Sequence, residues 1–190
     1  QMSRGECPTD PGHLSLASRA VASLGNYLEE IAHGAADQAL RLAPLYEEIA
    51  AARGLPLPCA ADLFHPDLSR RPPRREKAPP ALDATVAQAA LRHARSRFER
   101  GLLEWLRGDA RKGAQVMRDA IATVEVLQPT PAQRSLWWAA LAFYDGLIDG
   151  SQRIDTPLKR LCAQIDAQFR RLLGGTPTVP DRLLRDILYR

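Results

Sequence analysis

Two threonine–proline pairs, Thr130-Pro131 and Thr156-Pro157, do most to restrict what this chain can fold into. A threonine hydroxyl accepts one of the free amides at a helix start. Proline suits the first helical position, because it has no N–H to leave unsatisfied. The pairs therefore predict helices opening near 131 and near 156. Between them runs PAQRSLWWAALAFYDGLIDG. Leu136, Ala140, Phe143 and Leu147 make one helical stripe there, and Trp137, Leu141, Tyr144 and Ile148 make a second beside it. A helix apolar nearly all round belongs at the centre of a bundle. The adjacent tryptophans, Trp137 and Trp138, are accordingly expected in the core; an aromatic pocket or partner groove is the competing reading.

The flanking segments carry the same period. Leu158, Leu161, Ile165, Phe169 and Leu172 form a stripe after 156, stopped by Gly174-Gly175. Leu91, Ala94, Phe98, Leu102 and Trp105 form one over 82–107, and Ala114, Met117, Ile121 and Val124 another over 110–127. Arg107-Gly108-Asp109 reads as the tight turn between these two, with Asp109 as N-cap. A last short helix opens near Pro180-Asp181. Core aromatics are expected at Phe98, Trp105, Trp137, Trp138, Phe143 and Phe169. Gly101, Gly108, Gly113, Met117 and Ala120 fall near the spacing of a tetratricopeptide helix pair, which needs small residues where helices cross. A single such unit also fits a plain αα-hairpin.

Upstream, Leu16, Ala20, Leu24, Leu28 and Ile31 predict a helix over 14–31, with Glu29 and Glu30 outward and Gly34 as its break. A second helical stretch, 35–53, contains Pro44 and should kink or split there. Residues 54–81 hold seven prolines and a basic middle, SRRPPRREK. This reads as an extended connection, partly polyproline II, docked through Leu63, Phe64 and Leu68. No segment alternates like a strand. The expectation is an all-α antiparallel bundle of about six to eight helices. Its parts would be an N-terminal helical segment (1–53), the Pro/Arg-rich connection (54–81) and a main bundle (82–190), together one compact unit.

Chemistry is sparse. Cys7, Cys59 and Cys162 are odd in number and far apart, so neither a disulfide framework nor a zinc site is indicated, and reduced thiols suit a cytoplasmic setting. No Glu-x-x-His pair, phosphate loop or nucleophile elbow occurs; no cofactor, metal or catalytic residue is expected. No apolar run is long enough to insert in a membrane. The net charge of +4 is spread along the chain, and the basic stretch lacks aromatic residues for base stacking, which disfavours nucleic acid. His93 lies well inside a predicted helix, yet Ser96 and Arg97 stand where a phosphotransfer domain carries lysine and glycine. The absence of Met at position 1 and the apolar pattern of RLLRDILYR at the other end suggest a piece of a larger protein.

Four stretches carry a resemblance: ARSRFERGLLEWLRGDARKGAQVMRDAIATVE, PAQRSLWWAALAFYDGL, LKRLCAQIDAQFRRL and RLLRDILY. They resemble the FimL-like scaffold region found at the N-terminus of CheA-type hybrid histidine kinases of type IV pilus chemosensory systems (ChpA or PilL type). LRLAPLYEEIAAARG and ADLFHPDLSRRPP also look like the kinase version, so the resemblance spans about residues 38–190. It implies a cytoplasmic signalling protein of twitching motility, with recruitment to the cell pole as a further expectation. Within it this region would be a non-catalytic scaffold that binds a response regulator or a polar scaffold protein. The alternatives are a histidine phosphotransfer domain using His93 and a tetratricopeptide-like peptide binder. For protein contact the candidates are the connection's Arg70, Arg71, Arg74 and Arg75 and the helix arginines Arg160, Arg170 and Arg171, since arginine's planar fork is favoured at interfaces.

Overall fold

The computed structural model describes residues 11–56, 58–75, 82–152 and 154–190. Cys7 and positions 76–81 of the Pro/Arg-rich connection lie outside the described residues. Among those described there are seven α-helices and no strand: α1 (Pro11–Ala32), α2 (Ala43–Ala52), α3 (Ala84–Leu106), α4 (Ala110–Leu127), α5 (Pro131–Ile148), α6 (Thr156–Leu173) and α7 (Asp181–Leu188). The chain is all-α. It divides into two compact units at His65/Pro66, inside the connection.

In the first unit Pro44 opens α2, and a 3-10 turn, Ala39–Leu42, precedes it, so the second helical stretch is split. Arg19 pairs with Glu48 and Arg41 with Glu30, each at 2.5 Å, and the Tyr27 hydroxyl donates to Asp37. These contacts select which face of α1 turns inward: Leu16, Ala20, Ser23, Tyr27 and Ile31 are half-buried. Leu24 and Leu28, expected in the inward stripe, are exposed. Spacings of three and four generate two overlapping stripes on one helix, and the half-buried one shares only Leu16, Ala20 and Ile31 with the expected set.

In the second unit the helices close on themselves, each touching the next in the cycle α3, α4, α5, α7, α6 and back to α3. The tight pair is α3–α4. Gly108 turns the chain between them at φ +113, where a side chain would be strained. Farther along, the two backbones meet at Gly101 and Gly113. The single hairpin is absorbed into a closed ring, so the unit offers no open concave stack of the tetratricopeptide kind.

Caps fix the register. The Asp109 carboxylate accepts from the Lys112 amide and the Thr130 hydroxyl from that of Gln133. At the third start the cap is Asp155 rather than Thr156. Its Oδ1 accepts from the Leu158 amide at 2.8 Å, and its Oδ2 accepts from Arg190 at 3.1 Å. A carboxylate at the cap position also meets the positive helix end, which the hydroxyl one residue later cannot match.

The centre is aromatic. Phe98 stands edge-on to Tyr144 at 6.0 Å and lies 5.0 Å from Phe169, which contacts Trp137 at 4.8 Å. Trp105 and Phe143 are also buried. Trp138 is not: it lies 46% exposed, because consecutive helical positions point about 100° apart and only Trp137 faces the ring's interior.

Tyr144 donates to Cys162 Sγ at 3.4 Å inside this core. Burial raises the Tyr144 phenol well above its ordinary value and pushes the Cys162 thiol from 9.0 up to about 11. Both groups therefore stabilise the fold only while protonated. Below pH 9 their contribution is whole; between about 9 and 11 the unfolded thiol ionises while the folded one cannot. Two pH units correspond to about 3 kcal/mol lost across that window. Urea titrations at stepped pH should show this decline, and Cys162→Ala should remove the part that begins near 9, leaving the tyrosine's.

Candidate functional site

Residues 66–75 cross the second unit as an extended strap. A turn starts it: the Ser69 amide and hydroxyl both donate to Asp67 Oδ1, at 2.9 and 2.5 Å. Those bonds hold the Asp67 carboxyl below its usual range. Arg71 donates back to the Leu68 carbonyl at 2.8 Å. Leu68 then packs against the core, and Pro72 is buried. Leu63 and Phe64, expected to dock with Leu68, belong to the first unit and are half-buried there.

A polar clasp ends the strap. Glu125 sits one helical turn beyond Ile121 on the buried stripe of α4. Its Oε1 accepts from Arg134 Nε at 2.6 Å, and its Oε2 lies 3.5 Å from Arg75. Arg75 also donates to the carbonyls of Glu125 and Gln128, and Arg134 to that of Pro73 at 3.1 Å. Two guanidiniums thus share one carboxylate and satisfy three carbonyls where α4 passes into α5. Arg75, a candidate for partner contact, is spent on this internal clasp. Both of its terminal nitrogens are engaged inside the fold and its side chain is mostly buried, which leaves little of the fork for a partner.

Between the strap, α5 and α7 lie two adjoining clefts of about 340 and 300 Å³, sharing Leu68, Ser135 and Leu184. The smaller has an apolar floor of Trp138, Leu184, Leu188, Leu68 and the two strap prolines Pro66 and Pro72. Trp138 and Leu188 are both more than two-fifths exposed. Arg70 lines this cleft and Arg71 the other, and both are exposed. Arg70 stands 3.7 Å from Asp67, and Arg74 is exposed further along the strap. The arrangement is an apolar trough with a cationic rim. It suits an amphipathic segment carrying carboxylates, and it contains no nucleophile–base pair.

The other candidates stand apart from it. Arg160, Arg170 and Arg171 are exposed on α6 and line neither cleft; Arg170 pairs with Asp166 at 3.1 Å. His93 is exposed on α3, and Arg97, one turn on, lies 3.9 Å from Asp119 of α4. Among the described residues no His, Cys, Asp or Glu cluster could hold a metal, and no helix is long and apolar enough to cross a membrane. The trough and the clasp both escaped sequence reasoning. Glu125 falling on an otherwise apolar stripe was the one available signal.

A family model described as the FimL scaffold protein second domain matches residues 83–190. The scaffold protein FimL of Pseudomonas aeruginosa is 27% identical over 185 residues, which cover 94% of this chain and 32% of that protein. The chain spans about a third of the length of this relative. No solved structure matches.

Proposed function

Because the chain belongs to the family of the FimL scaffold protein second domain, we propose that it is a non-catalytic docking module. Its parent would be a type IV pilus chemosensory protein of the hybrid-kinase (ChpA or PilL) type, working in the cytoplasm and at the cell pole. Its partner there is a response regulator or a polar scaffold protein. The observation that carries this is Trp138, a large aromatic held outside the core on a trough of leucines and prolines. Aromatic anchors in such settings dominate binding, and arginines at a rim steer an acidic partner and raise its association rate. Family membership supports the scaffold role; the partner, the kinase context and the polar setting are this proposal's own.

Calorimetric titration with the response regulators of the parent system, with and without an acyl-phosphate mimic, tests it. Saturable binding is expected with one of them. Trp138→Ala should weaken it by about 2 kcal/mol, or roughly thirtyfold, while thermal unfolding stays near wild type, because the side chain contributes little to the core. Arg70→Glu with Arg71→Glu should slow association and make it less sensitive to salt. No heat from any of the regulators or from a polar scaffold protein would overturn the reading.

A further inference from the structure

The first unit carries a surface that the trough does not use. Leu14, Ala17, Val21, Leu24 and Leu28 recur along α1 at alternating steps of three and four, and all five are exposed. The four large side chains are 61, 73, 49 and 56% exposed in that order. Ile31, next in the series, is half-buried. This is the heptad spacing of a coiled-coil seam. No residue of α1 is buried. Polar contacts help tie it to its own unit: Arg19 with Glu48, Glu30 with Arg41, Tyr27 with Asp37. The helix thus packs one half-buried face, Leu16, Ala20, Tyr27 and Ile31, on its own unit and leaves a second, apolar stripe outward. A contiguous outward stripe of this kind marks an interaction site.

Shape and charge decide what covers it. From Leu14 to Ile31 the seam runs about 25 Å and is one helix wide, which fits another helix laid along it. Partner choice in such pairs is set by charges at the positions flanking the seam. Here those positions are Ser18, Gly25 and Ala32 on one side and His13, Ala20 and Tyr27 on the other, with no Asp, Glu, Lys or Arg among them. Nothing there attracts a charged foreign helix. An identical helix meets no like-charge repulsion and repeats the same heptads over the same length. Small residues at four of the six positions allow close approach. We propose that two copies of this chain associate through α1, seam against seam.

Sedimentation equilibrium of the 190-residue chain over a wide concentration range tests this. A reversible monomer–dimer equilibrium is expected. Val21→Glu or Leu24→Glu should raise its dissociation constant roughly tenfold or more, with helical circular dichroism unchanged. Leu28→Gln, which adds no charge, should act in the same direction, and Trp138→Ala should leave the equilibrium alone. A wild-type chain still monomeric at high micromolar concentration would overturn the proposal. So would a dimer that persists undiminished in both glutamate variants.

Discussion

Gly113→Ala is expected to destabilise the second unit by about 3 kcal/mol, at the upper end of what overpacking costs. A Cβ built on Gly113 would lie 2.4 Å from the Trp105 amide nitrogen, 2.6 Å from the Gly101 carbonyl oxygen and 2.6 Å from Trp105 Cβ. Two of those atoms are backbone, so no rotamer change relieves the clash and α3 must move off α4. Trp105 and Met117 sit in the same seam, and their packing loosens with it. For a unit of this size the melting midpoint should fall by about 10 °C. Gly25→Ala is the control. A Cβ there meets nothing within 4 Å, so only helix propensity acts, and α1 should gain slightly. Equal effects from the two alanines would mean that the α3–α4 crossing is looser than described.

The clasp carries the second large effect. Glu125→Ala leaves the guanidiniums of Arg75 and Arg134 together without their carboxylate. Both are mostly buried, and breaking such a group by removing one partner costs about 3–5 kcal/mol. Added salt should recover little, because the site is shielded. Glu125→Met combined with Arg134→Met should cost less than the sum of the single changes, since only Arg75 is then left without its carboxylate. Limited proteolysis gives a local reading: Arg75→Ala should open cleavage around 66–75 while α3–α6 stay protected. If Glu125→Ala melts with wild type, the clasp is a surface ornament and the strap is held by Leu68 and Pro72.

How much of this was legible beforehand depended on range. Caps and breaks are local, so the ends of α3, α4 and α5 and the splitting of the helical stretch at Pro44 could be read from neighbouring residues. The Asp155 cap was missed by one position, because Thr156-Pro157 offers the same hydroxyl-then-proline pattern. Stripe phase on α1 was misjudged for a different reason. Its inward face is chosen by Glu48, Arg41 and Asp37, and nothing within α1 reports on them. Trp138 illustrates the same limit: an adjacent aromatic pair declares that one ring is inside and leaves the other undecided. The clasp joins residues fifty or more positions apart in sequence, Arg75 to Glu125 and Gln128. Composition marked 54–81 as basic and extended, and gave no hint that one of its arginines is interior.

The strap also bears on where this domain can be cut. The matched family region begins at residue 83, eight positions after Arg75. A recombinant piece trimmed to that boundary would keep every helix of the ring and still lack one wall of the trough. It would have no Leu68, Pro72 or Arg70, and Glu125 would answer to Arg134 alone. If the trough is the docking surface, such a piece would express as a helical protein and fail in binding assays, and the failure would be credited to the wrong partner. The folding boundary and the family boundary are two different lines on this chain: the compact unit begins at Pro66, the family match at residue 83.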